Sequence, residues 1–248
     1  MEDFPAEEEA SAAAAHRADG NIYLYIREIY MVNLAEKFLK DQDREKIKNS
    51  VKEVERHTSG EIVPMIVSRS YHYPMSDVIG AVTFAFPASL LLTYFLGGWF
   101  WIGHYNLWLF IGTMAVLFIL LHQIIKHTHS LKRYFISDRE IAEEVEEAAV
   151  TSFFREGLYR TRDETGILIF ISVFERRVWV LADRGINAKV KQGQWNEIVG
   201  MIVEGIKTGN QADAICRAVD EAGRILKEHF PIKADDTDEL KNLIIEGD

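Results

Sequence analysis

Residues Thr161–Ile186 read TRDETGILIFISVFERRVWVLADRGI. Two runs stand out, "GILIFISVF" from Gly166 and "RVWVLA" from Arg177, with only "ER" between them. Both are rich in β-branched and aromatic residues, and so short a connection predicts an antiparallel hairpin. The first run is almost continuously apolar, as a strand covered on both faces must be. An antiparallel pair sets the start of one strand beside the end of the next. Asp163 and Glu164, ahead of the first strand, are therefore expected to meet Asp183, which follows the second. Hard cations such as calcium take several oxygen ligands, and backbone carbonyls beside Gly166 or Gly185 would add to these carboxylates. The competing reading is a solvated acidic rim paired with Arg160, Arg162 and Arg184. At the other end of the hairpin, Arg176 and Arg177 are candidates for an anion or lipid phosphate, or are plain solvated turn residues. Asp183-Arg184-Gly185 predicts a turn in which Gly185 supplies a positive φ.

Working outward, Trp195, Ile198, Val199, Ile202 and Ile206 share one helical face, and "TGN" closes that helix. Ile215, Val219, Ala222 and Leu226 mark another helix, with Asn210 as its cap and Pro231 as its stop. "SDRE" at Ser137–Glu140 has the spacing of a capping box. Ile141, Val145, Ala148 and Ser152 then mark the inner face of a helix ending near Gly157. On the N-terminal side, "DQDREKIKNSVKEVERHTSG" begins with Asp41 as a cap and turns Ile47, Val51 and Val54 inward. "EIVPMIVS" from Glu61 reads as a strand, and Pro64 predicts an edge position or a bulge. One strand cannot bury two faces alone, so this one is expected to join the sheet of the hairpin.

Between those segments the chain changes character. No Asp, Glu, Lys or Arg lies between Asp77 and Lys126. Val78–Leu96 and Leu107–Ile125 would each make a helix of roughly 30 Å, the thickness of a bilayer's hydrocarbon core. Pro87 is tolerated in such a helix. A pair of buried core helices is the alternative, but the rest of the chain is small for covering them. "LGGWFWIGHYNLW" at Leu96–Trp108 is the turn, with Gly97, Gly98 and Gly103 allowing it to bend. Trp99, Trp101, Tyr105 and Trp108 suit the headgroup level. Arg69, Lys126, Lys132 and Arg133 flank the spans and the turn has no basic residue. Both soluble segments are thus expected on the cytoplasmic side of an inner membrane. His122, His127 and His129 near that side invite a metal or pH role, or serve as interfacial polar residues.

The organisation expected is a flexible segment over 1–38, an α/β domain split between 39–74 and 128–231, a transmembrane hairpin over 75–127, and an acidic tail over 232–248. Met31 is an alternative start that would make 1–30 an upstream extension. The N-terminus lacks the basic start and apolar core of a secretory signal. A net charge of −10 argues against nucleic acid as a partner. The single cysteine, Cys216, excludes an internal disulfide and a cysteine metal cluster, and it has no Arg placed to make a cysteine-phosphatase loop. No phosphate-cradling Gly-rich loop, dinucleotide turn or Gly-x-Ser-x-Gly elbow is present. "DDTDEL" offers an Asp-x-Asp pair, but in a polar tail without the rigid support an aspartyl nucleophile needs.

The "TG-strand-ERR-strand-ADRGI" block, the Trp-led helix, "EHFP" and "DDTDEL" together resemble the TPM domain family, over about Leu39 to Ile245. More narrowly they resemble its bacterial membrane branch, in which a two-span hairpin interrupts the domain. The resemblance implies an α/β fold: a small central sheet flanked by helices on both faces. Some members are acid phosphatases, some bind calcium, and most have no assigned activity. Many relatives carry a signal peptide and a domain outside the cytoplasm, a context this sequence does not share. The expectation is a membrane-anchored cytoplasmic α/β domain acting as a non-enzymatic protein-interaction module tuned by calcium. Its partners are the lipid bilayer and an unidentified protein. The alternative is a metal-dependent, acid phosphatase-like hydrolase, in which Asp163, Glu164 and Asp183 hold the metal that activates water and Arg184 stabilises phosphoryl oxygens.

Overall fold

Four strands, β1 (Glu61–Val67), β2 (Gly166–Ser172), β3 (Arg177–Ala182) and β4 (Ile244–Glu246), form one sheet in the order β3-β2-β1-β4. The computed structural model describes residues 34–190, 192–233 and 239–247. The alternative start at Met31 and the Asp-x-Asp pair at 235–238 lie outside the described residues. β2 and β3 are the expected antiparallel hairpin, with Ile167 opposite Ala182 and Ser172 opposite Arg177. β1 runs parallel to β2, from Glu61 beside Gly166 to Val67 beside Ser172. The two segments on either side of the apolar hairpin therefore share one sheet.

Side-chain alternation sorts the sheet residues between two cores. Ile62, Ile66, Ile167, Ile169, Ile171 and Val178 face α2 (Asp41–Glu55), α8 (Gln192–Lys207) and α9 (Gln211–His229). Val63, Met65, Val67, Leu168 and Phe170 face α6 (Asp138–Arg155) and the 3-10 turn Leu158–Arg160. β1 and β2 are buried along their whole length. Helices on both faces account for their unbroken apolar sequences. On α9, Ile215, Val219, Ala222 and Leu226 are all buried as the helical spacing requires. Ser137 caps α6 by accepting the Glu140 N–H at 3.1 Å.

Several local expectations are corrected. Pro64 sits in a central strand. β4 pairs only with Met65, Ile66 and Val67, so β1 has no strand partner on that side at Pro64 and the missing N–H costs no ladder bond there. β4 itself comes from the segment expected as an acidic tail; its apolar Ile244 is buried against the second core. The segment expected to be flexible to residue 38 already holds α1 (Leu34–Phe38), whose Ala35 is buried and donates its N–H to Ser68 Oγ at 3.0 Å. Lys40, not Asp41, is the cap of α2, and its N–H donates to Asp43 at 3.2 Å. Asn210 takes the cap position of α9 without a side-chain cap bond.

α3 (Pro74–Trp99) and α4 (Leu107–His127) are long and apolar enough to cross a membrane by length and composition. Their packing is the reverse of a soluble core. Asp77, Ala81, Ala85, Ser89, Thr93 and Gly97, every fourth residue of α3, are buried, with Ser76 and Gly80 beside them. Phe84, Leu91 and Phe95 of α3 and Val116 and Ile119 of α4 point outward. Small residues inside and large apolar residues outside is how helices pair in lipid. Thr93 and Thr113 hydroxyls meet at 3.2 Å across the pair. In the turn, a Cβ on Gly97 would lie 2.2 Å from the Gly103 carbonyl oxygen, so this close bend requires glycine. Trp99, Trp101, Tyr105 and Trp108 stand almost fully exposed around it.

Candidate functional site

The two ends of the sheet differ in what they face. β1 leads into α3, so the C-terminal ends of β1 and β2 and the β2–β3 turn face the apolar hairpin, and the N-terminal ends face away from it.

Asp163, Glu164 and Asp183 all lie at the far end, and each carboxylate turns to a partner of its own. Asp163 pairs with Lys233 Nζ at 2.6 Å, and Arg162 Nε stands 4.0 Å from the same oxygen. Glu164, held at φ 55°, lies 3.3 Å from Arg184 Nε. Asp183 caps the short helix α7 (Arg184–Asn187), one carboxylate oxygen accepting the Arg184 N–H at 2.7 Å. Its other oxygen is buried with no hydrogen-bond partner among the described residues. Gly185 does not adopt the positive φ expected of it. It is needed for a different reason: a Cβ there would lie 2.7 Å from the Glu164 carbonyl oxygen and 2.8 Å from that of Asp163. Backbone oxygens of the Asp163-Glu164 turn thus press against the start of α7. Asp163 and Glu164 turn their carboxylates to basic side chains, as the rim reading expects for part of the set. Among the described residues no group of three or more His, Cys, Asp or Glu is placed to hold a metal ion.

The near end carries a residue the sequence reading passed over. Glu175, in the short connection between β2 and β3, is fully buried. It accepts the Ser70 N–H at 3.0 Å and the Tyr71 N–H at 3.4 Å, and the Ser172 hydroxyl donates to it as well. Arg133, the last residue of α5 (His129–Arg133) in the chain leaving α4, donates from one guanidinium nitrogen to the carbonyls of Phe174 at 3.0 Å and Glu175 at 2.6 Å. The β2–β3 turn is thereby held by the chain entering the apolar hairpin and the chain leaving it. Lys132 Nζ and Asp77 Oδ2 make a buried ion pair at 3.0 Å beside it. Burial and the nearby Glu175 carboxylate push the Tyr73 hydroxyl well above the usual tyrosine range. The only hint in the sequence was the Ser172-x-x-Glu175 spacing beside an apolar strand; burial of a lone carboxylate leaves no periodic signature.

The remaining candidates are dispersed. Arg176 is exposed in the turn at φ 54°, and Arg177 lies 3.6 Å from Asp138. His122 stacks on Phe118 within α4, and the ring of His129 packs edge-on to Phe174. Trp195 is a core residue of α8, as expected. Cys216 is buried in α9, and burial pushes its thiol up.

None of the curated proteins compared matches this chain. The solved structure of the BA42 protein from the psychrophilic bacterium Bizionia argentinensis is similar over 85% of this chain and 96% of that one, at 20% identity and a TM-score of 0.51. That likeness is one of fold. The model of the TPM domain family matches residues 127–225, which contain α6, the β2–β3 hairpin, the acidic end and most of α9. Over those residues the chain is similar to the TPM domain.

Proposed function

We propose that the chain is a membrane-anchored protein-interaction module, with α3 and α4 spanning the inner membrane and the α/β domain held against its cytoplasmic face. The observation that carries this reading is the inverted packing of the helix pair together with its polar clamp onto the domain. Large apolar side chains on the outside of α3 and α4 are left uncovered by the described residues, and lipid satisfies them. Glu175, Arg133 and the Lys132–Asp77 pair join that hairpin to the sheet through buried polar contacts, which fixes the domain relative to the bilayer. Arg69, Lys126, Lys132 and Arg133 lie at the ends of the helices on the domain side and the turn has no charge, which supports the cytoplasmic orientation. The far end of the sheet then points into the cytoplasm, free to meet a protein. Crosslinking in intact membranes tests this: adducts joining exposed residues of the domain to another protein are expected, and adducts confined to lipid and to the chain itself would contradict it.

The unpartnered oxygen of Asp183, beside the backbone oxygens of Asp163 and Glu164, favours a second role for the far end as a weak calcium site. A metal-dependent phosphatase is the hydrolytic form of this reading. Phosphate-ester turnover by the purified full-length protein, dependent on calcium or magnesium and abolished by Asp183→Ala with the fold retained, would replace the interaction reading.

A further inference from the structure

Among the described residues β3 is an edge strand, six residues long and paired on one side only. Edge strands are normally protected by shortness, by proline, by bulges or by inward charge. The opposite edge, β4, has only three residues. β3, "RVWVLA", carries no proline and pairs residue for residue with β2, and its sole charge is at its first residue.

Its free side is also chemically ready. Asp183 N–H donates to the Gly166 carbonyl at 2.9 Å. In an antiparallel ladder this sets residues 181, 179 and 177 to bond β2, and turns the N–H and C=O groups of Val178, Val180 and Ala182 outward. Asn187 Nδ2 takes the Ala182 carbonyl at 2.6 Å. Among the described residues nothing bonds the outward groups of Val178 and Val180. These groups line a groove of about 540 Å³ between α6 and α8. Val150 and Val199 form its apolar walls, and Trp195 lines it with a buried indole N–H that has no acceptor among the described residues. Glu146 is the one charged residue on the groove; it is exposed and has no ion-pair partner among the described residues.

We propose that this groove binds an extended segment of a partner protein as a fifth strand, with apolar side chains toward Val150 and Val199 and a Lys or Arg opposite Glu146. The inference rests on the interaction reading above and names its surface. Backbone groups of Val178 and Val180 supply the ladder bonds that give affinity, and the walls read alternate side chains. The unsatisfied Trp195 N–H gains an acceptor from the incoming chain. The Glu146 carboxylate, without an ion-pair partner among the described residues, selects a cationic segment.

The test uses the full-length protein in lipid nanodiscs and a random peptide display library as the probe. Enriched peptides are expected to alternate apolar residues and to carry a Lys or Arg. Their binding should slow hydrogen exchange at the amides of Val178 and Val180. Val180→Pro removes an outward N–H that β2 does not use, so an edge strand tolerates it. It should weaken peptide binding about tenfold, as should Glu146→Lys. No enrichment, or enriched peptides that bind Val180→Pro as well as wild type, overturns the proposal. A concentration-dependent dimer abolished by Val180→Pro would make a second copy of this chain the occupant, and overturns it too. Membrane crosslinks to another protein that persist in Val180→Pro would leave the interaction reading standing while removing this groove from it.

Discussion

Lys132 Nζ lies 3.0 Å from Asp77 Oδ2, and both side chains are about 8% exposed. The pair ties the first turn of α3 to α5, closing the apolar hairpin at its base where it meets the sheet. Removing one partner leaves the other buried and uncompensated, which costs roughly 3–5 kcal/mol in pairs of this kind. Lys132→Met should therefore lower stability sharply. The double variant Asp77→Leu, Lys132→Met should recover most of the loss, because an apolar replacement of both ions leaves no stranded charge. Urea midpoints in detergent measure the cycle; a single variant as stable as wild type would show that the pair is solvated.

Glu175 gathers two backbone N–H groups and a hydroxyl at the mouth of the hairpin. Glu175→Ala strands all three, a loss of about 3 kcal/mol. Glu175→Gln keeps an acceptor and should cost less. Hydrogen exchange at Ser70 and Tyr71 should rise strongly in Glu175→Ala while exchange in the core of β1 stays slow. Unchanged protection at those two amides would remove Glu175 from the clamp.

Tyr73 gives a pH dependence of defined sign. Its folded-state hydroxyl is raised above the ordinary tyrosine value of 10.0, by burial first and by Glu175 second. Below about pH 10 folded and unfolded chains both keep the proton, and the contribution is fully present. Above it the unfolded chain ionises while the folded one resists, so stability is lost as pH rises toward the folded value. Wild type should lose more stability than Tyr73→Phe between about pH 8 and about pH 11. Equal losses would mean that Tyr73 reaches water.

The legible part of this protein was the part written in local pattern. The β2–β3 hairpin announced itself through β-branched runs and a short turn, and its register then carried Asp163, Glu164 and Asp183 to one end. The apolar hairpin was equally plain. What escaped depended on partners distant in sequence. β4 is three residues in a charged tail and exists because β1 offers it an edge. Pro64 looked like an edge residue because the shortness of β4 is invisible until the sheet is assembled. Gly185 suggested a turn, whereas its demand comes from the carbonyls of another segment. Glu175 was passed over because nothing in an "ER" turn foretells that the chain entering and the chain leaving the apolar hairpin will fold over it.

Calcium has a direct thermal consequence. If Asp183 anchors a cation with the carbonyls of Asp163 and Glu164, binding to the folded state alone raises the melting temperature, by about 2.7 kcal/mol of stability at a hundredfold excess over the dissociation constant. The shift should vanish in Asp183→Asn. A chelator-stripped protein that shows no shift at millimolar calcium would leave the far end as an acidic rim.

The orientation of the domain is the claim on which the rest depends, and cysteine accessibility reads it most directly. Cys216→Ala removes the only native thiol. Tyr105→Cys then places a thiol in the exposed aromatic turn, and Lys227→Cys places one on the exposed face of α9. In intact cells a membrane-impermeant thiol reagent should label position 105 and spare position 227, which should react only after lysis. Labelling of position 227 in intact cells with position 105 protected would contradict the account.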